Sequence, residues 1–329
     1  MPVLNVSNLY KRFNLEAGFF ARFGRFVNAV NDISFYIDKN EAYGLVGESG
    51  CGKTTTARML VRMYEADSGE ILYYQDNKPL SVSGLKKDEL QQYREKVRYV
   101  FQDPARSLNP RMSVYEVLVS GSRKPLKYRG VSEKELHQKA ASILEEVGLQ
   151  AADLEKRPSE FSGGQRQRIS IARALLMEPE ILICDEVVSA LDVSIQGQIL
   201  NLLLDIQQKR NMSFLFIAHD LKVACYFCDR IGVMYKGELM EEAPAANLYL
   251  EALHPYTKLL FSSAAGVAKE VHAETPNLRF ARRGEDLKII NEKSCSFAPR
   301  CPLATEQCLR EHPVLKEIKG GHSIRCFNY

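Results

Sequence analysis

Residues 47–54 constrain the fold of this chain more than any other segment. They read Gly-Glu-Ser-Gly-Cys-Gly-Lys-Thr and fit the pattern G-x-x-x-x-G-K-[ST]. The apolar run 41–46 precedes them, and a helix is expected to begin at Lys53. Glycines let backbone N–H groups curve around phosphates at a helix N-terminus, where the helix dipole favours anions. The motif therefore predicts a strand, a phosphate-binding loop and a helix in succession.

The residues of this loop are expected to have different roles in binding a nucleoside triphosphate. Lys53 is expected to reach the β- and γ-phosphates, and the Thr54 hydroxyl to bind Mg²⁺. Cys51 is interpreted as a small residue of the loop rather than as a redox switch. A glycine turn that fits the pattern by chance is the alternative, and the strand–loop–helix context argues against it. The predicted nucleotide-binding residues here are Gly47, Glu48, Ser49, Gly50, Cys51, Gly52, Lys53, Thr54 and Thr55.

A second pattern supplies the acidic groups that phosphate hydrolysis requires. Residues 181–184 are Ile-Leu-Ile-Cys, which predicts a buried strand, and Asp185 and Glu186 follow directly. Asp185 is expected to hold Mg²⁺, and Glu186 to accept a hydrogen bond from the attacking water. An Asp-Glu pair alone is usually part of a solvated loop. The apolar strand before this pair and the phosphate loop upstream favour the functional interpretation.

Three further polar sites lie at the ends of predicted elements. Gln102 follows the predicted strand 97–101 and is expected to reach Mg²⁺ or water. His219 follows the predicted strand 214–218 and is placed to touch a γ-phosphate. A single Gln or His of this kind is more often structural than catalytic. A phosphate can also be bound by the hydroxyl and amides just before another predicted helix, at Ser162, Gly163, Gly164 and Gln165.

Strand and helix patterns alternate along most of the chain, which predicts an α/β fold with a mostly parallel sheet. A capping box at Ser132 opens a helix that is expected to run to about Val147. After residue 262 the periodicity fades, and residues 295–329 show little strand or helix pattern. Further strands are predicted at 4–13, 33–37 and 69–74, and a further helix at 195–208.

Composition excludes several classes of protein. The 329 residues carry 44 Lys and Arg against 41 Asp and Glu, a formal charge of +3 that lacks the basic excess of a nucleic-acid binder. No apolar run approaches the roughly 20 residues of a spanning helix, and the N-terminus does not resemble a secretory signal. Eight cysteines without such a signal indicate free thiols or metal ligands. We therefore expect a protein of the cytoplasm or of the cytoplasmic side of a membrane.

The order of these motifs resembles that of the nucleotide-binding subunits of ABC transporters, over about residues 3–262. The resemblance implies ATP hydrolysis with Mg²⁺, and its motifs match this chain position by position. Residues 47–54 correspond to Walker A, Gln102 to the Q-loop, 162–165 to the signature, Asp185 to the Walker B aspartate, Glu186 to the catalytic glutamate, 189–192 to the D-loop and His219 to the switch histidine. In the family the signature closes over the nucleotide of an opposing subunit.

The resemblance also assigns the remaining site residues. Phe13 aligns with the aromatic residue that stacks on adenine, and Tyr10 is the second choice. The implied catalytic side chains are Glu186, His219 and Gln102, and the implied Mg²⁺ ligands are Thr54, Gln102 and Asp185.

Other segments resemble the oligopeptide and dipeptide importers in particular. They are Phe-Gln-Asp-Pro at 101–104, Ser-Leu-Asn-Pro at 107–110, His-Pro-Tyr-Thr at 254–257 and Phe-Ala-Pro-Arg-Cys-Pro at 297–302. The chain departs from the pattern at Phe161, where Leu is usual, and at Val187, where Pro is common. The segment before Cys295 lacks the proline-rich sequence of the group, which weakens the inference that the cargo is a peptide.

The resemblance implies a parallel-sheet core, an antiparallel β subdomain and a helical subdomain. Residues 1–262 would form the ATPase domain, with the helical subdomain at about 103–168, and residues 263–329 a connector and a Cys-rich region. The implied partners are two transmembrane permease subunits, a second and different ABC ATPase, and indirectly an extracytoplasmic solute-binding protein, with no nucleic acid. The chain would lie at the cytoplasmic face of the cell membrane. A soluble ABC ATPase that acts on ribosomes or DNA is the alternative.

The C-terminal region carries four thiols, at Cys295, Cys301, Cys308 and Cys326. Thiolates bind soft metals, and the Cys-Pro step at 301–302 is similar to that of some iron–sulfur sequences. Related importer subunits with this tail include examples that hold a [4Fe-4S] cluster, which we expect here. Zn²⁺ is an alternative, although its structural sites usually have closer cysteine pairs. Four unligated thiols in a small packed tail are the third possibility.

Overall fold

The computed structural model describes residues 1–14, 26–122, 130–264 and 293–329. The connector predicted over 267–293 lies outside these ranges except for Lys293. The strands are β1 (Pro2–Asn14), β2 (Phe26–Asp38), β3 (Ala42–Val46), β4 (Ser68–Gln75), β5 (Lys78–Ser81), β6 (Val97–Val100), β7 (Ile181–Asp185), β8 (Ser213–Ala218), β9 (Arg230–Tyr235), β10 (Glu238–Pro244), β11 (Lys316–Lys319) and β12 (His322–Ile324).

Helices separate most of these strands. They are α1 (Lys53–Leu60), α2 (Lys87–Lys96), α3 (Pro104–Ser107), α4 (Val114–Val119), α5 (Glu133–Glu146), α6 (Gly163–Leu175), α7 (Val193–Arg210), α8 (Leu221–Phe227), α9 (Ala245–Glu251), α10 (Pro255–Ala264) and α11 (Glu306–Arg310). Short 3₁₀ turns occur at Ala151–Glu155, Pro158–Glu160 and Ala298–Arg300. The chain forms two compact units: Met1, 38–40 and 84–217 in the first, and 2–37, 41–83 and 218–329 in the second.

The first unit joins a parallel sheet to a group of helices. Strands β6, β7 and β8 pair in parallel, with Val97 opposite Ile181 and Ile181 opposite Ser213. Every residue of β7 and β8 is buried, as is usual for parallel strands covered on both faces. Helix α5 begins at a Ser132 cap whose hydroxyl accepts from the Glu135 N–H, and it buries one apolar stripe. This unit carries the acidic pair at the C-terminal end of β7.

The second unit contains an antiparallel sheet in the order β2-β1-β4-β5. It also contains β3 and β9, which pair in parallel, and the antiparallel pairs β9–β10, β10–β12 and β11–β12. All five residues of β3 are buried, and the phosphate loop follows this strand directly. The predicted sequence of strand, loop and helix is therefore confirmed.

The predicted strands and helices up to residue 262 are present, with ends shifted by a few residues. The C-terminal region differs from the prediction, because it contains helix α11 and the hairpin of β11 and β12. A Gly-Gly pair at 320–321, with both residues at positive φ, forms the turn of that hairpin. Two such residues between short strands are a known hairpin signal that our sequence analysis did not use.

Candidate functional site

The phosphate loop in the second unit has the backbone that its glycines permit. Gly52, the residue before α1, adopts φ +110°, a conformation that side chains rarely tolerate. A Cβ atom there would lie 2.1 Å from the carbonyl oxygen of Ala29, so a larger residue is excluded for a second reason. Both observations require glycine directly before α1.

Lys53 is folded back over the loop. Its ammonium donates to the carbonyl oxygens of Gly47 at 2.7 Å and Glu48 at 3.1 Å, and the side chain is only 4% exposed. Cys51 lies beside it, with its sulfur 3.8 Å from the Lys53 nitrogen. Burial raises the pKa of the Cys51 thiol despite that cation, so the neutral thiol is favoured. This agrees with its interpretation as a small packing residue.

Two residues that the sequence analysis did not assign to the site also hold the loop. The Tyr256 hydroxyl accepts a hydrogen bond from the Glu48 N–H at 2.9 Å. The Arg300 guanidinium donates two hydrogen bonds of 2.7 Å to the Glu48 carboxylate. Both residues belong to segments noted for their similarity to peptide importers. Their distance from the loop along the chain, more than 200 positions, is why no local pattern linked them to it.

The acidic pair in the first unit is held by polar partners. The Asp185 carboxylate is buried and accepts a hydrogen bond of 2.5 Å from the Tyr99 hydroxyl. Glu186 adopts φ +49°, unusual for a residue with a side chain, and its N–H donates to the Ile217 carbonyl at 3.1 Å. This backbone bend turns the chain at the end of the strand, and Glu186 remains partly exposed while Asp185 is buried.

Gln102 lies next to Glu186. Its amide nitrogen donates to a Glu186 carboxylate oxygen at 2.6 Å, although the two residues are 84 positions apart. Both follow adjacent parallel strands, β6 and β7, and so emerge at the same edge of the sheet. The structure thus brings together two of the three predicted catalytic side chains. Neither residue is buried, which leaves the pair accessible to water.

The signature segment begins helix α6. The Ser162 hydroxyl accepts from the Gln165 N–H at 3.3 Å, and the Gln165 side chain accepts from the Ser162 N–H at 2.9 Å. This is a capping box, which satisfies donors at the helix N-terminus. Gly163 opens the helix, and Gly164 is buried. Ser162 is exposed at this helix N-terminus, where the sequence analysis predicts a contact with phosphate.

Two further predicted side chains, Phe13 and His219, lie in the second unit. Phe13 packs edge-on against Tyr64 at 5.4 Å, and the Lys11 ammonium lies 5.6 Å from its ring centre. Phe13 is half-buried, which leaves part of the ring open for stacking. His219 is exposed just after β8 and before the cap of α8.

The four cysteines of the tail are neighbours. Burial raises the pKa of the Cys301 thiol to about 11, and the nearby thiols of Cys295, Cys326 and Cys308 add to the effect. Cys295 and Cys308 are also joined by a backbone hydrogen bond of 2.9 Å. Cys295, Cys301, Cys308 and Cys326 are free thiols. Nevertheless, no group of three or more His, Cys, Asp or Glu side chains in the described ranges is arranged to hold a metal ion.

Comparison with known proteins identifies the family. A profile described as ABC transporter matches residues 30–189, and one described as oligopeptide/dipeptide transporter, C-terminal region, matches residues 240–308. A Sinorhizobium fredii protein, described as a probable peptide ABC transporter ATP-binding protein, is 40% identical over 98% of this chain and 89% of its own length. The chain belongs to the ATP-binding subunits of ABC transporters. It is thus an ABC ATPase.

Further comparisons agree with this assignment. The oligopeptide transport ATP-binding protein AppF of Bacillus subtilis is 40% identical over 99% of this ABC ATPase and 97% of its own length. A dimeric post-hydrolysis structure of the cassette MJ0796 with ADP and phosphate superposes with a TM-score of 0.63, at 28% identity, over 74% of this chain and 98% of that one. Clostridium perfringens cbiO1 gives a TM-score of 0.64 at 27% identity, over 76% and 91% of the two chains.

Among the helices of the described ranges, none combines the length and the apolar character that a bilayer span requires.

Proposed function

We propose that this ABC ATPase binds and hydrolyses ATP to drive the uptake of oligopeptides, dipeptides or similar solutes. The observation that carries the proposal is the combination of a complete set of ATPase motifs with a C-terminal region of the oligopeptide/dipeptide transporter type. The relatives that align at about 40% identity over nearly their whole length are described as peptide or oligopeptide transport proteins. The segment before Cys295 lacks the proline-rich sequence of the peptide importers, so the proposal also includes other solutes of similar size.

In the proposed reaction Glu186 orients the attacking water. An ionised carboxylate only accepts hydrogen bonds. It therefore accepts a hydrogen bond from the water molecule and directs a lone pair of the water oxygen at the γ-phosphorus. Gln102 holds Glu186 in the present geometry and, through its amide oxygen, is also a candidate ligand of the metal. Mg²⁺, held by Thr54, Asp185 and Gln102, would neutralise charge on the phosphate oxygens.

Lys53 and the loop amides receive the phosphates. To do so, Lys53 exchanges its bonds to the Gly47 and Glu48 carbonyls for bonds to β- and γ-phosphate oxygens. His219 is proposed to contact the γ-phosphate, and Phe13 to stack on adenine. The remaining loop contacts come from Gly47, Glu48, Ser49, Gly50, Cys51, Gly52, Thr54 and Thr55.

The test of nucleotide use is a binding titration with a fluorescent ATP analogue, followed by a phosphate-release assay. Lys53→Ala is expected to weaken binding at least roughly tenfold, because the phosphate charge loses its buried partner. Lys39→Ala, at an exposed lysine of the first unit, is the matched control and is expected to bind normally. Absence of ATP binding by the unmodified protein would reject the proposed function.

We propose that the chain works at the cytoplasmic face of the membrane, docked on two permease subunits, with an extracytoplasmic solute-binding protein as an indirect partner. The signature 162–165 would close over the nucleotide of a second, related ATPase, so two cassettes complete each site. Co-purification with hydrophobic permease chains would support this arrangement. Co-purification with ribosomes or DNA would favour the soluble alternative, and full activity of a strictly monomeric preparation would refute the need for a second cassette.

We propose that Cys295, Cys301, Cys308 and Cys326 together hold one [4Fe-4S] cluster. The proposal is supported by the ligand count and by the proximity of the four thiols. Deprotonated sulfurs would be the ligands, so the raised thiol pKa values imply that binding releases protons. Its role would be structural.

Protein purified without oxygen is then expected to be brown, with iron and acid-labile sulfide in nearly equal amounts. Colourless protein with stoichiometric zinc would establish the alternative metal. Absence of any metal, together with normal folding of Cys301→Ser, would show that the thiols are unligated.

A further inference from the structure

The tail of this protein reaches into the phosphate loop. The carboxylate of Glu48, the second residue of the loop motif, is engaged by both terminal nitrogens of Arg300. The carbonyl and amide groups of Glu48 are engaged as well, by Lys53 at 3.1 Å and by Tyr256 at 2.9 Å. The Glu48 carbonyl also accepts from the Cys51 N–H at 3.2 Å, so every polar group of this loop residue has a partner. Two of these partners, Arg300 and Tyr256, come from the C-terminal part of the second unit.

The base of this contact is an aromatic cluster. Phe297 is 1% exposed, and its ring lies 5.3 Å from that of Tyr235, 5.4 Å from that of Tyr256 and 5.7 Å from that of His254. The Arg300 guanidinium lies 5.8 Å from the centre of the Phe297 ring and 5.6 Å from that of Tyr235. Aromatic contacts on one side and a carboxylate on the other restrict the orientation of the guanidinium.

The pairing of Arg300 with Glu48 changes the charge that the phosphates of ATP would meet in the loop. Glu48 is a negative charge within a loop that has to receive several negative phosphate oxygens, and like charges repel. Two charge-assisted hydrogen bonds from Arg300 neutralise that carboxylate and hold it in one place. They also keep the pKa of the Glu48 carboxyl below its ordinary value of 4.5, so the pair remains ionised at neutral pH. Both side chains are 41% exposed, so salt is expected to screen the interaction.

We propose that Arg300 in the C-terminal tail and Tyr256 in α10 are positioning residues of the phosphate loop, and that they raise the affinity of this protein for ATP. Arg300 cancels the charge of Glu48, and Tyr256 fixes the direction of its backbone. The inference rests on the proposed function, since it concerns the same nucleotide. It assigns the tail a task at the ATP site in addition to any metal that its cysteines hold.

The experiment compares the full-length protein with Arg300→Ala in titrations with a fluorescent ATP analogue and Mg²⁺. At low salt, Arg300→Ala is expected to weaken binding roughly fivefold to twentyfold, because an uncompensated carboxylate then faces the phosphates. The loss should shrink at high salt, and kcat at saturating ATP should change less than KM. Arg310→Ala is the matched control, since its exposed pair with Glu306 also lies in the tail.

A double variant separates this role from a merely structural one. Glu48→Gln removes the charge that Arg300 compensates, so Glu48→Gln/Arg300→Ala should regain most of the affinity that Arg300→Ala loses. A packing defect at position 300 would not be corrected by a change in the loop. Tyr256→Phe, which removes only the hydroxyl, should weaken binding roughly threefold with a small loss of thermal stability, because the Glu48 N–H loses its acceptor. It is the second variant to test if Arg300→Ala fails to fold.

The proposal is overturned if Arg300→Ala and Tyr256→Phe bind the analogue as tightly as the unmodified protein while Lys53→Ala does not. It is also overturned if the double variant binds as weakly as Arg300→Ala. Either result leaves the proposed function intact. Failure of the unmodified protein to bind ATP would instead refute the proposed function.

Discussion

The phosphate loop and the Cys-rich tail are both short segments of the second unit, but they obtain their structure in different ways. The loop is shaped largely by its own glycines and by the start of α1, which follows it directly. The tail is held by residues far away in sequence. Ser296 donates to Glu238 at 2.7 Å, and the His322 ring lies within 2.7 Å of Glu241, 81 positions away.

The tail differs from the phosphate loop because buried carboxylates of β10 anchor it. Glu241 is fully buried and accepts hydrogen bonds from the Leu253 and His254 N–H groups at 2.7 and 3.0 Å, besides its contact with His322. Glu238 is 3% exposed and has Asn31 and His312 as further partners. A motif built on local backbone geometry can be recognised in a sequence, whereas a segment anchored through such carboxylates cannot. The two regions should therefore respond differently to mutation.

The largest expected effect is on catalysis, at Glu186. Glu186→Gln should lower the ATP turnover rate roughly 10²- to 10⁴-fold, because the amide cannot take over the role of an ionised general base. ATP binding and thermal stability should remain nearly unchanged. Glu178→Gln, at an exposed ion pair with Lys139 in the same unit, is the control. Undiminished hydrolysis in Glu186→Gln would show that Glu186 is not the general base.

The next effect is on stability, at the anchor of the tail. Glu241→Ala should lower the free energy of unfolding by roughly 3–5 kcal/mol, because it leaves buried donors without their acceptor. Chemical denaturation measures the change, with the exposed Glu306→Ala as the control. A loss below about 1 kcal/mol would show that the tail is not anchored through β10 as described.

A smaller effect concerns pH, through His254. Burial lowers the pKa of this side chain from 6.5 to about 4, and its Nδ1 atom accepts a hydrogen bond from the Tyr256 N–H at 3.0 Å. The unfolded chain therefore takes up a proton at a higher pH than the folded protein does. The contribution to stability is complete above pH 6.5 and decreases as the pH falls, by about 3 kcal/mol at pH 4.

The measurement is the free energy of unfolding as a function of pH for His254→Asn. The Asn side-chain oxygen can still accept from the Tyr256 N–H, but it does not titrate. The slope between pH 6.5 and 4 should therefore be shallower than in the unmodified protein. Parallel slopes for His254→Asn and the unmodified protein would contradict the assignment.

The smallest effect is expected at the surface of the tail. Arg310→Ala breaks a pair with Glu306 in which the two side chains are 77% and 84% exposed, so the loss should stay below about 0.5 kcal/mol. Thermal unfolding measures it. A loss comparable to that of Glu241→Ala would mean that the tail depends on its surface rather than on its buried anchors.

The same division separates the elements that local sequence patterns predict from those that they do not. The strands β3, β7 and β8 were predicted because parallel strands buried on both faces are continuous apolar runs. Helix α5 was predicted from its capping box at Ser132. Gln102 and Glu186 were each predicted as site residues from their positions after strands, but the hydrogen bond between them was not predicted, because the two residues are 84 positions apart. The hairpin of β11 and β12 was missed, although its Gly-Gly turn was visible.

By itself the sequence determined the phosphate loop, the acidic pair and the alternation of strands and helices, because each depends on residues within a few positions of one another. Only the tertiary structure decided which residues hold Glu48 and which carboxylates anchor the tail. Tyr256 and Arg300 reach Glu48 from positions more than 200 residues away, and no periodicity or composition specifies such a meeting. Contacts of this kind arise when β9, β10 and the tail pack together in the folded chain.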